Sequence, residues 1–266
     1  MKKLILIICT ASIALFYASC ASSEKTTDAA DALKGTPKAL TSQFKMLTVN
    51  AQHGLKDKAE VKKFADWVKT TGAEVVAVQQ IIRATDSKPE FDAYSELLKR
   101  LDMRGTFAKA RYFQGWDSGN ALFSMYPILQ SNTYMLPTGK GKTRRSLSFG
   151  VFEMGLKSLA FASTDLDDED LSERVKQVYE ILSIQKTMPE YPIIVAGNFG
   201  ESSKGKAPAK MLERYACANS SADQTAGMEQ HVYLPNDGKL NVVSIEKVLN
   251  KTLHTYALLV TIEVIQ

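Results

Sequence analysis

Cysteine, histidine and tryptophan are scarce in this chain of 266 residues, at three, three and two. Cys9 sits inside an apolar leader and Cys20 closes it, so Cys217 is left alone downstream and cannot form a disulfide within the folded part. A lone thiol with no cationic or helix-start setting in the sequence reads as a small packed side chain. His53, His231 and His254 are far apart with no metal-ligand spacing, which argues against a zinc centre. Charge of one sign is lacking too. Lys plus Arg number 33 against 29 Asp plus Glu, a net +4 to which Lys2 and Lys3 contribute two, and such a field does not by itself select nucleic acid. No segment has the roughly 18 to 20 apolar residues that a membrane-spanning helix requires. The absence of a fixed-length repeat excludes a solenoid.

The chain is 45% hydrophobic and 23% charged, the composition of a globular protein with a sizeable core. Lys2 and Lys3 precede an apolar run over 4–17 that ends in Ala18-Ser19-Cys20. A basic start, a short apolar run and small residues before a cysteine predict a lipoprotein signal peptide over 1–19 and a mature chain that begins at a lipidated Cys20. Export to the bacterial cell envelope and attachment to a membrane through that lipid follow. Up to residue 43 the chain is rich in Ser, Thr, Ala, Asp and Lys without apolar period, as expected of a flexible tether.

From residue 44 to residue 266 the pattern is that of one folded domain. Residues 58–70 repeat Val61, Phe64, Ala65 and Val68 at helical spacing, and further helices are predicted over 91–101 and 169–186. Strands are predicted over 44–49, 75–78, 107–113, 119–123, 146–153, 158–163, 191–196, 239–243 and 256–264. This alternation predicts an α/β or α+β domain.

Five segments, in order, resemble the motifs of the endonuclease/exonuclease/phosphatase family. Met46-Leu47-Thr48-Val49-Asn50 with Gln52-His53-Gly54 resembles the first strand and its asparagine. Glu74-Val75-Val76-Ala77-Val78-Gln79-Gln80 is similar to Asp-Val-Val-Ala-Leu-Gln-Glu, and Gly119-Asn120-Ala121-Leu122-Phe123-Ser124-Met125-Tyr126-Pro127-Ile128 to Gly-Asn-Ala-Ile-Leu-Ser-Arg-Tyr-Pro-Ile. Ser163-Thr164-Asp165-Leu166-Asp167 stands where the family has Asn-Thr-His-Leu-Asp, and Ala196-Gly197-Asn198-Phe199-Gly200 where it has Ala-Gly-Asp-Phe-Asn. The terminal Ser-Asp-His falls on Leu253-His254-Thr255, and the preceding Ile-Asp-Tyr-Ile on Leu240-Asn241-Val242-Val243.

The resemblance implies a four-layer sandwich, two β-sheets packed face to face with helices on both outer sides. It also implies a site where Asn50, Gln80, Asp165, Asn198, Gly200, Asn241, His254 and Thr255 occupy the catalytic positions. Relatives with the full motif set use magnesium for phosphodiester hydrolysis. Here Gln80 replaces the metal glutamate, Asn198 the water-handling aspartate, and Asp165 and Thr255 the imidazoles. A neutral amide contributes no charge to hold magnesium and cannot exchange a proton near working pH. The expectation is a pseudoenzyme without metal or cofactor, with a phosphate-bearing or protein ligand, no nucleic acid, and a monomeric state. Asn50, His53, Asn120 and Arg145 are the candidate binding residues, Arg145 closing a basic loop with Lys140, Lys142 and Arg144. An enzyme rebuilt around Asn50, His53, Asp165 and His254 is the alternative. The acidic run 165–170 reads as the start of a helix, where carboxylates meet exposed N–H groups.

Overall fold

The computed structural model describes residues 42–155, 157–220 and 225–265. The expected signal peptide, Cys20 and all but the last two residues of the tether lie outside them.

Burial with a period of two sets the first strand between two cores. In β1 (Gln43–Asn50), Leu47 and Val49 enter one apolar cluster while Phe44 and Met46 enter another. The chain continues through α1 (Lys58–Thr71), β2 (Val75–Arg83), α2 (Ala93–Leu101), β3 (Arg104–Phe113), β4 (Trp116–Ser124) and β5 (Ile128–Leu136). Next come β6 (Arg145–Met154), β7 (Lys157–Asp165), α3 (Leu171–Thr187), β8 (Ile193–Asn198) and α4 (Lys206–Met211). It closes with β9 (Tyr215–Cys217), β10 (Gln230–Pro235), β11 (Leu240–Asn250) and β12 (Thr255–Val264).

The strands form two six-stranded sheets, ordered β11-β12-β1-β2-β4-β3 and β5-β6-β7-β8-β10-β9. Val61, Phe64 and Val68 of α1 and Leu97 of α2 pack on the outer face of the first sheet. Val178, Ile181 and Leu182 of α3 and Met211 of α4 cover the second. Between the sheets lie Phe44, Met46, Leu122, Phe152, Phe161, Ile194 and Val260. The order helices, sheet, sheet, helices is the expected four-layer sandwich. Each helix packed on a sheet carries one apolar stripe, and each strand between two layers must be apolar on both faces.

Caps account for the helix starts. The Asp57 side chain accepts from the N–H groups of Ala59 and Glu60, Asp92 from Ser95, and Asp170 from Ser172 and Glu173. The acidic run therefore serves the start of α3, and Asp167 accepts from the N–H groups of Glu169 and Asp170.

Three strands escape the sequence pattern, the shortest being the three-residue β9. β5 is a sheet edge exposed along most of its length and shows no apolar alternation. β10 is buried on both faces, so its short run Gln230–Pro235 has no period to detect.

Candidate binding site

Two parallel pairs aim four strand ends at one edge of the sandwich. β1 and β2 run parallel with Asn50 opposite Gln79, and β7 and β8 run parallel with Asp165 opposite Asn198. β10 starts at the same edge, Gln230 lying opposite Asn198. Just inside this edge, Gln79 Nε2 donates to Thr48 Oγ1 (3.2 Å) and Ser163 Oγ (3.1 Å), and Thr48 Oγ1 donates to Gln230 Oε1 (3.1 Å). These buried bonds tie one sheet to the other directly beneath the site. Polar side chains at inward positions of otherwise apolar strands were the available sequence signal, and sequence reasoning passed over Thr48, Gln79 and Gln230.

Bulges interrupt the two strands that flank β4. Between Val78 and Ile81, β2 gains one residue relative to β4, and Gln80 takes a left-handed φ of 54°. Between Lys109 and Arg111, β3 gains one residue in the same way. β4 can sit this close only because position 119 is glycine: a Cβ there would lie 2.0 Å from the carbonyl oxygen of Ala108. The result is a small, shallow pocket, open to solvent, whose lining includes Gln80, Arg111, Ser118, Asn120, Arg145 and Asp165. Arg144 stands on its rim and is exposed.

Asp165 is the hub. Its carboxylate accepts from Gln80 Nε2 (3.1 Å), from Asn198 Nδ2 (3.1 Å) and from the Arg145 guanidinium, which also donates to Asp168 Oδ1 (2.6 Å). Burial pushes the Asp165 carboxyl above its ordinary value, and Arg145 with the two amides opposes that rise. Arg145 is 2% exposed, and its Nε has no partner. Arg111 is half-buried, and the loss of water together with the nearby Arg145 charge lowers its guanidinium from the usual range. Asn120 Nδ2 donates to the carbonyl oxygen (2.8 Å) and Oγ (3.3 Å) of Ser146, and its buried Oδ1 has no partner. His53 stacks on Phe113 and shares a 2.8 Å hydrogen bond with Ser118 Oγ. Burial first, then Arg111, Lys56 and Arg145, push its imidazole down to about 4.

The chain has the endonuclease/exonuclease/phosphatase fold. An endonuclease/exonuclease/phosphatase from Beutenbergia cavernae superposes with a TM-score of 0.69 at 13% identity, covering 85% of this chain and 72% of that one. The human Nocturnin catalytic domain with bound sulfate anion superposes with 0.68 at 18% identity, covering 84% and 94%. A mannosyl-6-phosphatase of Bacteroides thetaiotaomicron does so with 0.61 at 12%, covering 84% and 100%. No family model matches the sequence, and no curated protein matches it.

On the endonuclease/exonuclease/phosphatase fold, Gln80, Asp165, Asn198 and Arg145 meet, with Asn120 lining the same pocket. Asn50 lies at the same edge but turns its Oδ1 onto the N–H of Gln52 (3.0 Å), and His53 reaches the pocket only through Ser118. The N–H of Gly200 donates to Asn198 Oδ1 (3.3 Å), supporting that amide. Asn241 corrects the sequence expectation. It pairs with Glu263 at the far end of the β11–β12 hairpin, opposite to the end formed by Asn250 and Thr255. The strand that begins beside Asn198 is β10, so Gln230 occupies the location expected of Asn241. The sequence reading has no strand over 230–235, because β10 is buried on both faces and carries no detectable period, so the motif falls on the next strand. His254 sits in the exposed turn before β12, and neither it nor Thr255 lines the pocket.

These residues do not fit a divalent cation. Magnesium needs anionic oxygens with free lone pairs, whereas both Asp165 oxygens already accept from amides or a guanidinium and the adjoining walls carry Arg111 and Arg145. Among the described residues, no cluster of three or more His, Cys, Asp or Glu side chains is placed to hold a metal ion.

Proposed function

We propose that this chain is a membrane-anchored, non-catalytic ligand-binding protein, a pseudoenzyme on the endonuclease/exonuclease/phosphatase fold. One observation carries the reading. The single carboxylate at the convergence of strand ends is held by three donors, Arg145, Gln80 and Asn198, one of them a guanidinium that neutralises its charge. A carboxylate held this way is neither a metal ligand nor a free proton acceptor, and the amides beside it exchange no proton near neutral pH. The pocket has exchanged a setting for a cation for one suited to an anion, which supports a phosphate-bearing ligand. Two neighbours of the fold are in keeping with that chemistry, Nocturnin with its bound sulfate and the mannosyl-6-phosphatase. Attachment to the membrane rests on the lipidated Cys20, and the protein acts as a monomer without nucleic acid or magnesium.

Incubation with a nucleic acid, sphingomyelin, a phosphoinositide and a phosphomonoester, with and without magnesium, tests the catalytic half. No turnover is expected, and chelator-sensitive hydrolysis would overturn the reading. Mass spectrometry of the membrane fraction tests the anchor, and a Cys20→Ala protein that stays equally processed and membrane-bound would refute it.

A second reading, an enzyme with a rebuilt site, draws on the His53–Ser118 contact of 2.8 Å, which has the reach of a base and its nucleophile. It is the weaker one. An imidazole held down at about 4 is a poor base at neutral pH, and among the described residues no carboxylate orients its other nitrogen.

A further inference from the structure

We infer that the turn Gln52–Gly54 is a latch closed by the neutral His53 ring, and that acid releases it and joins the space between Phe113 and Ser118 to the pocket. The device goes beyond the reading of the pocket as a ligand site and does not depend on which ligand enters.

The turn is a unit of its own. It is pinned at both ends, by Asn50 at the close of β1 and by Leu55, which is 1% exposed in the same apolar cluster as α1. Between these anchors Gln52 and His53 both hold left-handed backbone, at φ 48° and 58°, a conformation that non-glycine residues keep only where their surroundings impose it. Two backbone bonds close the turn, from His53 N–H to the Gln80 carbonyl oxygen (3.1 Å) and from Gly54 N–H to that of Ala51 (2.7 Å). The imidazole supplies the rest of the hold. It stacks on Phe113 with ring centroids 3.7 Å apart and shares its 2.8 Å hydrogen bond with Ser118 Oγ, whereas Gln52 beside it is exposed.

The setting of that ring favours its neutral form. It is 6% exposed, and the charges that face it are all positive: Lys56 from its own loop, Arg111 from β3 and Arg145 from β6. β4 faces it with the neutral Ser118, Asp117 of that strand being held by Lys109 (2.8 Å), and β2 meets only its backbone, at the Gln80 carbonyl. A ring that takes up a proton there is driven toward water by its burial and by three like charges. The turn can follow it, since departure relieves two left-handed residues. Ser118 lines the pocket, so withdrawal of the imidazole uncovers Phe113 and Ser118 and extends the pocket by the space of the ring.

Amide hydrogen exchange on the full processed chain, corrected for the intrinsic pH dependence of exchange, tests the latch. Between pH 7 and pH 4 the N–H groups of His53 and Gly54 should lose about 100-fold in protection, the ratio that follows from a ring at about 4 when closed and at 6.5 when free. The N–H groups of Leu166 and Phe199, which donate to the carbonyl oxygens of Asn198 (2.9 Å) and Glu229 (2.8 Å) at the same edge of the second sheet, should keep theirs. His53→Gln can hydrogen-bond Ser118 but takes up no proton, so protection of its turn should be independent of pH, whatever its level. Constant protection of the turn in the unmodified chain, an equal loss at Leu166 and Phe199, or the same acid loss in His53→Gln would overturn the inference. Because the turn and the two reference amides are compared within the unmodified protein, that comparison decides even if His53→Gln fails to fold.

Discussion

Two buried polar clusters sit near the same edge of the sandwich, and they differ in how completely they are satisfied. Around His231, Nε2 donates to the carbonyl oxygen of Glu201 (2.8 Å), so Nδ1 is the acceptor and takes the Asn219 amide (3.2 Å). Asn219 also donates to the carbonyl oxygen of Gln230 (3.1 Å) and accepts from the Cys217 thiol (3.3 Å). Around Asp165, by contrast, the contacts end in two orphans, Asn120 Oδ1 and Arg145 Nε. The first cluster pairs both ring nitrogens of His231 and the amide of Asn219, leaving the Tyr233 hydroxyl beside them unpaired; a thiol whose burial raises it to about 11 is no nucleophile. The second leaves a charged donor and an amide oxygen unpaired beside the pocket.

The comparison breaks most visibly at Arg145. Arg145→Met strands a buried carboxylate between two amides and should cost about 3 to 5 kcal/mol in denaturant unfolding. Adding Asp165→Asn should recover most of that loss, and a double variant no more stable than the single one would show that the pair is not coupled.

Acid should act next. His53 and His231 both fall from 6.5 to about 4 through burial, so the unfolded chain binds more protons than the folded one in that window. Their contribution is complete above about pH 6.5 and is lost as pH falls through about 4, on the order of 3 kcal/mol each at most. Urea midpoints measured across this range should decline, and a flat profile would contradict the neutral, buried assignment of both rings.

A finer probe of the Asp165 cluster is Gln80→Glu. It replaces a donor to Asp165 with a like charge and should destabilise the protein by about 1 to 3 kcal/mol at neutral pH. Magnesium affinity should return only weakly and turnover not at all, because Arg145 still occupies Asp165. Calorimetry with magnesium and a phosphodiesterase assay check both.

The smallest effect belongs to the His231 cluster. Cys217→Ser keeps a donor toward Asn219 in place of a thiol, so it should change stability by about 1 kcal/mol or less and leave anion binding unaltered. A loss of phosphate affinity there would mean that the two clusters are coupled through Gln230 and Asn198, which are register partners.

The layers were legible because apolar periodicity records which faces are covered. Val61, Phe64 and Val68 announced α1, and Val75-Val76-Ala77-Val78 announced a strand buried on both sides. Motif order then placed Gln80, Asp165 and Asn198 at related strand ends. Asn241 was misplaced because a short strand buried on both faces, β10, carries no periodic signature, so a neighbouring strand took its role.

By itself, the sequence determined the α/β order, the covered faces of strands and helices, and the presence of neutral amides at Gln80 and Asn198. These are properties of residue type and local spacing. Only the tertiary structure decided that Arg145 closes on Asp165 across 20 residues of chain, that Gln79 and Thr48 bridge two sheets, and that Asn120 is left with an unpaired oxygen. Regular pairing of β6 with β7 brings Arg145 to Asp165, while two bulges and a glycine at position 119 shape the facing wall. A one-residue register shift changes which side chains face a pocket while leaving hydrophobic periodicity almost untouched, so that information exists only once the strands are paired.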